Sequence, residues 1–267
     1  MTLLQLLIIA LVQGLTEFLP VSSSGHLILL PNLSGMADQG LAIDVAAHVG
    51  TLGAVMLYFQ RDVRLALGGL GRLLRGKIDT RGAFLALCLV VATVPVVIAG
   101  LILKITGLAD MMRGIAVIGW AMIIFGVLLY WADQKGATTR TAEGWTLKHA
   151  LQMGMWQAVA LIPGTSRSGI TITAGRMLGY SRQDAARLAM LMSIPTIIAS
   201  GALLGLDVLS GDDLGAFRDI AIVAAMSFVA ALFALTIMMR LLRSVSFTPY
   251  VIYRLILGVV LLWIAYT

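Results

Sequence analysis

Two short stretches of this chain gather the residue types that handle phosphate. In the first, Gln13 and Glu17 stand four residues apart and are followed by Pro20, Ser22, Ser23, Ser24, Gly25 and His26. Four-residue spacing puts Gln13 and Glu17 on one face of a helix. Three hydroxyls and an imidazole within five residues offer a nucleophile and a proton carrier, and the imidazole itself can attack phosphorus. One or two of these serines also read as helix N-caps. In the second stretch, Pro163-Gly164-Thr165-Ser166-Arg167-Ser168-Gly169-Ile170-Thr171 sets one guanidinium among hydroxyls and glycines. First-turn amides of a helix, small residues that allow close approach and a planar cationic fork together make a phosphate cradle. A purely structural reading has Arg167 pair with Glu17, which is compatible with the same chemistry.

Other chemistries find no support. The G-x-x-x-x-G-K-[ST] order of a phosphate-binding loop is absent, and no His or Asp cluster has zinc-ligand spacing. Cys88 is the only cysteine, so no intramolecular disulfide forms, and it reads as a packed apolar residue. Asp44 and His48, four apart at the start of a helix, read as a mainly structural pair.

The elements that must position these stretches lie in a membrane. Of 267 residues, 60% are hydrophobic and 12% charged, with a mean hydropathy of +0.97. That composition excludes a soluble enzyme, a nucleic-acid module and a disordered scaffold. The basic balance, +6 at neutral pH, fits cytoplasmic loops rather than a nucleic-acid partner. Residues 3–12 lack a basic leader and a small-residue cleavage site, so they read as mature protein. Six stretches, roughly 41–59, 83–103, 112–131, 184–206, 219–239 and 249–266, are apolar over the length a spanning helix needs. The expected fold is therefore an all-α polytopic membrane protein with six transmembrane helices.

Residues 3–31 and 147–178 behave differently. Each has two short apolar arms around a Pro/Ser/Gly elbow, which predicts two re-entrant helical hairpins. Laid side by side with one gap, the elbows place a proline three residues before Ser23 and Ser166. Three spanning helices separate the hairpins, so the two enter from opposite sides. The chain thus reads as a single integral membrane domain, 1–267, built as an inverted-topology repeat over about 1–131 and 147–267, with the elbows meeting near the midplane.

Charge distribution orients it. The first sixty residues hold no Lys or Arg, whereas the 61–82 loop holds Arg61, Arg64, Arg72, Arg75, Lys77 and Arg81. That loop is cytoplasmic by the positive-inside rule, as are 132–148 and 240–248. The acidic 207–218 loop falls outside, and 104–113, with Lys104, Arg113 and Asp110, is the one imperfect case. The first hairpin then opens to the exterior.

Taken together, Gln13-Gly-Leu-Thr-Glu17-Phe-Leu-Pro-Val-Ser-Ser-Ser-Gly-His26 and Pro163-Gly-Thr-Ser-Arg167-Ser-Gly-Ile-Thr171 resemble the two signature motifs of the bacterial undecaprenyl-diphosphatase, or bacitracin-resistance, family. The resemblance covers essentially the whole chain and includes Ser-Phe-Thr-Pro-Tyr-Val-Ile-Tyr-Arg at 246–254. It implies hydrolysis of undecaprenyl diphosphate to undecaprenyl phosphate and inorganic phosphate in the bacterial inner membrane. That reaction recycles the lipid carrier for peptidoglycan synthesis and underlies bacitracin resistance. It also implies a divalent cation, Mg or Ca, and Glu17 with Gln13 would either ligate it or act on a proton. The family's motif positions fall here on Gln13, Glu17, Ser22, Ser23, His26, Ser166, Arg167, Ser168 and Thr171.

This chain departs from many members in having Gln, not a second carboxylate, at position 13. On this reading Glu17, Ser23, His26 and Arg167 are catalytic, with Ser23 favoured as nucleophile and His26 as its acid/base partner. Attack by His26 or by water stays open. Ser22, Ser24, Ser166, Arg167, Ser168 and Thr171 would hold the diphosphate, apolar grooves would hold the polyprenyl tail, and the mouth would open to the periplasm. Oligomeric state is left open, with a homodimer as one arrangement. The rival reading is a transporter or flippase of a phosphorylated polyprenyl lipid, since a carrier also needs a phosphate clamp. A carrier has no need of the serine-histidine pair.

Overall fold

The computed structural model describes residues 1–23, 25–27, 40–112, 114–209 and 217–267, the side chains of 109, 110 and 203–209 excepted. Among these the chain is helical: α1 (Leu3–Thr16), α2 (Leu41–Tyr58), α3 (Gln60–Leu73), α4 (Arg81–Thr106), α5 (Ile115–Lys135), α6 (Leu147–Val159), α7 (Arg167–Met177), α8 (Arg182–Leu209), α9 (Phe217–Leu241) and α10 (Thr248–Tyr266). Six of them, α2, α4, α5, α8 (over Arg182–Ala202), α9 and α10, are long and apolar enough to cross a bilayer. The chain is a multi-pass α-helical membrane protein. Large apolar side chains such as Val94, Ile98, Ile102, Val229, Phe233, Ile256 and Val259 are exposed on these helices, where lipid rather than water meets them.

Helices α1, α6 and α7 have 14, 13 and 11 residues. At 1.5 Å per residue they reach about 21, 20 and 17 Å, short of the roughly 30 Å hydrocarbon core. Each short arm lies against a spanning helix by bringing a glycine to the contact. A Cβ on Gly14 of α1 would sit 2.6 Å from Ala230 Cβ of α9, and one on Gly154 of α6 would sit 2.8 Å from Ala92 Cα of α4. Alanine at either position would push the arm off its support.

The core sits where arms and spans converge. Phe18, Val55, Leu129, Ile172, Met190, Leu235, Met238, Phe247 and Val251 pack as one buried cluster. At the end that carries the basic loops, the helices are pinned by charge. Asp133 of α5 accepts from Arg176 of α7 at 3.2 Å and Arg182 of α8 at 2.7 Å, and from the Phe247 amide beside α10 at 3.2 Å. Asp133 and Arg176 are both buried, and Arg176 spends its remaining protons on the carbonyls of Asp133, Gly136, Ala137 and Tyr180. Breaking one member would strand the others in a dry setting, a loss of about 3–5 kcal/mol.

The two elbows adopt one unusual backbone feature. Ser22 and Ser166 are the non-glycine residues with positive φ among the described residues, at 73° and 70°. This places the register of the elbows differently from their prolines. Matched without a gap, Gln13 falls on Gln157, Ser22 on Ser166, Ser23 on Arg167 and Gly25 on Gly169. The left-handed serine ends each turn and the next residue starts a helix, so the nucleophile candidate and the guanidinium occupy equivalent first-turn positions. Holding a non-glycine residue there costs on the order of 1–3 kcal/mol. Residues 28–31 of the first hairpin, Ser24, Arg113, Asp212 and Asp213 lie outside the described residues.

Candidate functional site

The two elbows meet at a cavity of about 320 Å³ lined by Glu17, Ser22, Ser23, His48, Ala160, Leu161, Ser166, Arg167, Thr196, Ile197 and Ser200. Its polar lining comes from five elements, and its shape from how each one ends.

Helix α1 ends at Glu17, whose amide bonds to Gln13 O at 2.9 Å. One helical turn therefore separates their side chains, and Gln13 Nε2 donates to Glu17 Oε2 at 2.8 Å. The first elbow then folds back so that Ser23 Oγ donates to the same Oε2, also at 2.8 Å. From the second elbow, Arg167 donates through Nη2 to Glu17 Oε1 and through Nη1 to Ser193 O, the latter at 3.0 Å. Glu17 thus accepts from three side chains, one of them cationic, in a buried position. Its charge is compensated, and the serine hydroxyl it holds is poised to give up a proton.

The hydroxyls of the second elbow divide by task. Ser166 lines the cavity and caps α7, its Oγ accepting from Gly169 N at 3.1 Å. Ser168 donates to Leu19 O at 2.9 Å and so stitches one elbow to the other. Thr171 donates back to Arg167 O at 2.8 Å, inside its own helix. Ser168 and Thr171, expected to hold the diphosphate, are not among the cavity-lining residues. Ser24 lies outside the described residues.

His26 is placed away from its expected partner. Its Nδ1 donates to Ser22 O at 2.7 Å, and its Nε2 meets Tyr253 Oη, with the two rings stacked 5.6 Å apart. It does not line the cavity. A carbonyl only accepts, so Nδ1 carries a proton, and in the neutral ring Nε2 accepts from Tyr253. One turn of helix after Ser22, His26 fastens the left-handed elbow rather than facing Ser23.

Two residues that the sequence reading did not assign to the site are central to it. His48, given a structural role beside Asp44, lines the cavity, with Nδ1 3.0 Å from Gln13 Nε2 and 3.8 Å from Glu17 Oε2. Arg254 of α10 is fully buried and donates to five carbonyls: Met122 at 3.2 Å, Ala121 and Pro20 at 3.4 Å, Gly164 at 3.1 Å and Thr165 at 2.9 Å. Pro20 belongs to the first elbow, and Gly164 and Thr165 to the second. This one guanidinium therefore ties both elbows to α5. A charged residue among apolar ones at 246–254 was the available signal for it.

The pair expected to ligate a cation is arranged otherwise. Gln13 turns its nitrogen toward Glu17, and both Glu17 oxygens are engaged. Among the described residues no three His, Cys, Asp or Glu side chains cluster as a metal site. Gln13 and Glu17 as they stand do not fit as two ligands of one ion.

An apolar groove adjoins the cavity. Ala99, Ile102, Leu103, Met112, Ala158, Val159, Leu161 and Ile162 enclose about 400 Å³ between α4 and α6, and Leu161 lines both spaces. A separate cavity of about 370 Å³, between α3, α4 and α8, holds the Asp62–Arg187–Glu143 ion pairs and Cys88. No serine or histidine lines it.

The chain is similar along its length to known proteins. The family model described as bacitracin resistance protein BacA matches residues 6–260. A protein named undecaprenyl-diphosphatase from Roseobacter denitrificans is 68% identical over 267 residues, and one of the same name from Dinoroseobacter shibae is 67% identical, each alignment covering all of both chains. A more distant relative of that name, from Chromohalobacter salexigens, is 45% identical over 98% of this chain and 99% of its own.

Proposed function

The chain belongs to the bacitracin resistance protein BacA family, and from that premise we infer that the cavity between its elbows is where undecaprenyl diphosphate is hydrolysed to undecaprenyl phosphate and inorganic phosphate. The protein is an undecaprenyl-diphosphatase, a membrane hydrolase that returns the lipid carrier to peptidoglycan synthesis and so confers bacitracin resistance. One observation carries the assignment of the centre: Ser23 Oγ hydrogen-bonds Glu17 at 2.8 Å while Arg167 holds the other carboxylate oxygen.

The terminal phosphoryl group enters beside Arg167, where the guanidinium and the first-turn amides of α7 offset its charge. Ser23 Oγ attacks the terminal phosphorus in line, and Glu17 Oε2 takes the hydroxyl proton. The bridging P–O bond breaks, undecaprenyl phosphate leaves with that oxygen, and the phosphoryl group stays on Ser23. Water then attacks the phosphoserine. The serine oxygen recovers its proton from Glu17, and both hydrogens of the water leave on inorganic phosphate as H2PO4−, which gives one up to solvent at neutral pH. Phosphoryl transfer of this kind needs positioning and charge stabilisation above all. No step is assigned to a divalent cation, since Gln13 and Glu17 do not form its ligand pair. His26, with Tyr253, sets the elbow that aims Ser23. A carrier would need the Arg167 clamp but not a serine held against a carboxylate.

The polyprenyl tail runs into the apolar groove through Leu161. Most of that groove lies at the end of α4 next to residues 104–113, remote from the basic loops, which supports a mouth on the periplasmic side of the inner membrane. Packing of α1 on α9 and of α6 on α4 supports reading the two halves as an inverted repeat. Hydrolysis in ¹⁸O-labelled water tests the reaction course. Label is expected in the released inorganic phosphate; label in undecaprenyl phosphate would place the attack on the other phosphorus and exclude this arrangement.

A further inference from the structure

The imidazole that lines this cavity is not the one in the serine cluster. We propose that His48 is a substrate-contacting residue of the hydrolysis, donating a hydrogen bond from Nε2 to the phosphoryl group that Ser23 attacks, with its tautomer set by Gln13. This rests on the hydrolase reading and assigns a further residue to it.

The argument starts from the Gln13 amide. Carboxylate oxygens accept and do not donate, so the group that Gln13 presents to Glu17 Oε2 at 2.8 Å must be its nitrogen. That nitrogen carries two hydrogens, and His48 Nδ1 stands 3.0 Å from it. The second hydrogen therefore goes to Nδ1, which must be bare to accept it. A neutral imidazole with a bare Nδ1 carries its proton on Nε2. Gln13 Oε1 is meanwhile buried without a partner, and the reverse amide orientation would set an oxygen against the Glu17 carboxylate. The amide is thus locked by its two nitrogen contacts, and it locks the ring in turn.

What the ring then offers is a directed donor. Its Nε2 meets no acceptor among the described residues, and the side chain is 36% exposed in the cavity wall. Its position beside the reaction follows from Glu17. Oε2 receives Ser23 at 2.8 Å and has His48 Nδ1 at 3.8 Å, whereas Oε1 receives Arg167. Arg167 and His48 therefore flank the carboxylate on its two sides, and a phosphoryl group in reach of Ser23 lies between a fixed cation and a neutral N–H. This also gives a reason for glutamine at position 13, because a carboxylate there would not donate to Nδ1 and would not hold the ring in this tautomer.

The test uses the full-length protein in detergent, undecaprenyl diphosphate as substrate and phosphate release as readout, with thermal midpoints measured beside it. His48→Leu removes the donor and is expected to lower kcat/KM about ten- to hundred-fold, the scale of a hydrogen bond to a charged group. His48→Gln keeps an N–H of similar reach and is expected to recover most of that loss. A His48→Leu protein within about two-fold of the parent, or a His48→Gln protein as impaired as His48→Leu, overturns the proposal. Those outcomes are read against a parent and an Arg167→Ala variant in the same preparation. A parent that releases no phosphate overturns the hydrolase reading and this proposal with it. An active parent, a dead Arg167→Ala and an unaffected His48→Leu overturn this proposal alone.

Discussion

Glu17 and Arg167 are 150 residues apart in the chain and form one ion pair between two helix ends. Neither arm is long enough to cross a bilayer, and the two charged residues meet in the wall of the cavity, Arg167 17% and Glu17 5% exposed. Arg167 uses a second nitrogen on Ser193 O at 3.0 Å. Lysine has a single ammonium and cannot reproduce that fork. Arg167→Lys is expected to lose at least about hundred-fold in kcat/KM, measured by phosphate release. Retention of parent activity would show that charge alone suffices.

Glu17→Gln keeps the size of the side chain and removes its charge. Arg167 is then left as a buried cation without its partner, and Ser23 without a proton acceptor. We expect phosphate release to fall by at least about thousand-fold together with a lower thermal midpoint. A variant that loses stability but keeps activity would assign Glu17 to structure only.

Arg254 makes a prediction of the opposite kind. Replacing it with Met deprives carbonyls of both elbows of their donor, each buried orphan costing about 1–3 kcal/mol. The thermal midpoint is expected to drop, and activity to drop with it, because Pro20 O and Gly164 O no longer share an anchor. Arg254→Lys is expected to restore only part of either. An unchanged midpoint in Arg254→Met would contradict the tie.

The groove adjoining Leu161 predicts a chain-length effect. Ile102→Trp fills the space between α4 and α6 without touching the polar lining. Its KM for undecaprenyl diphosphate is expected to rise about ten-fold, with little change for a diphosphate of a short prenyl chain. An equal rise for both would place the tail elsewhere.

One pH effect concerns the end with the basic loops. Hydrogen bonding from Arg187 holds the Glu143 carboxyl below its ordinary value of 4.5. A depressed carboxylate contributes stability above its unfolded pKa and loses it as pH falls through the folded one. The side chain is half exposed, so the contribution is below about 1 kcal/mol. The stability gap between parent and Glu143→Gln is expected to be full at pH 7 and to shrink below about pH 4.5. A gap that is constant with pH would assign it to packing.

Much of this was legible in the sequence because it depends on local composition. Hydropathy over twenty-residue windows gives the six spanning helices, and ionisable residues inside apolar arms mark Glu17 and Arg167. What was not legible depends on partners far away in the chain. His48 meets Gln13 across 35 residues, and Arg254 meets Pro20 across 234; no spacing rule connects such positions. The gapless match of the elbows is another feature that spacing alone does not give. Prolines suggest where a turn lies, but the left-handed φ of Ser22 and Ser166 fixes where the next helix begins. Proximity in sequence suggests His26 as a partner of Ser23, yet at i+4 from Ser22 it points back at that residue's carbonyl.

The central claim is that hydrolysis occurs where Ser23 meets Glu17. It is tested most directly by phosphate release from undecaprenyl diphosphate by the detergent-purified parent and its Ser23→Ala variant, with equal thermal midpoints confirmed. The predicted result is a loss of at least about thousand-fold in kcat, and a phosphoserine trapped at position 23 of the parent on acid quench. A Ser23→Ala protein that releases phosphate at the parent rate would contradict the account.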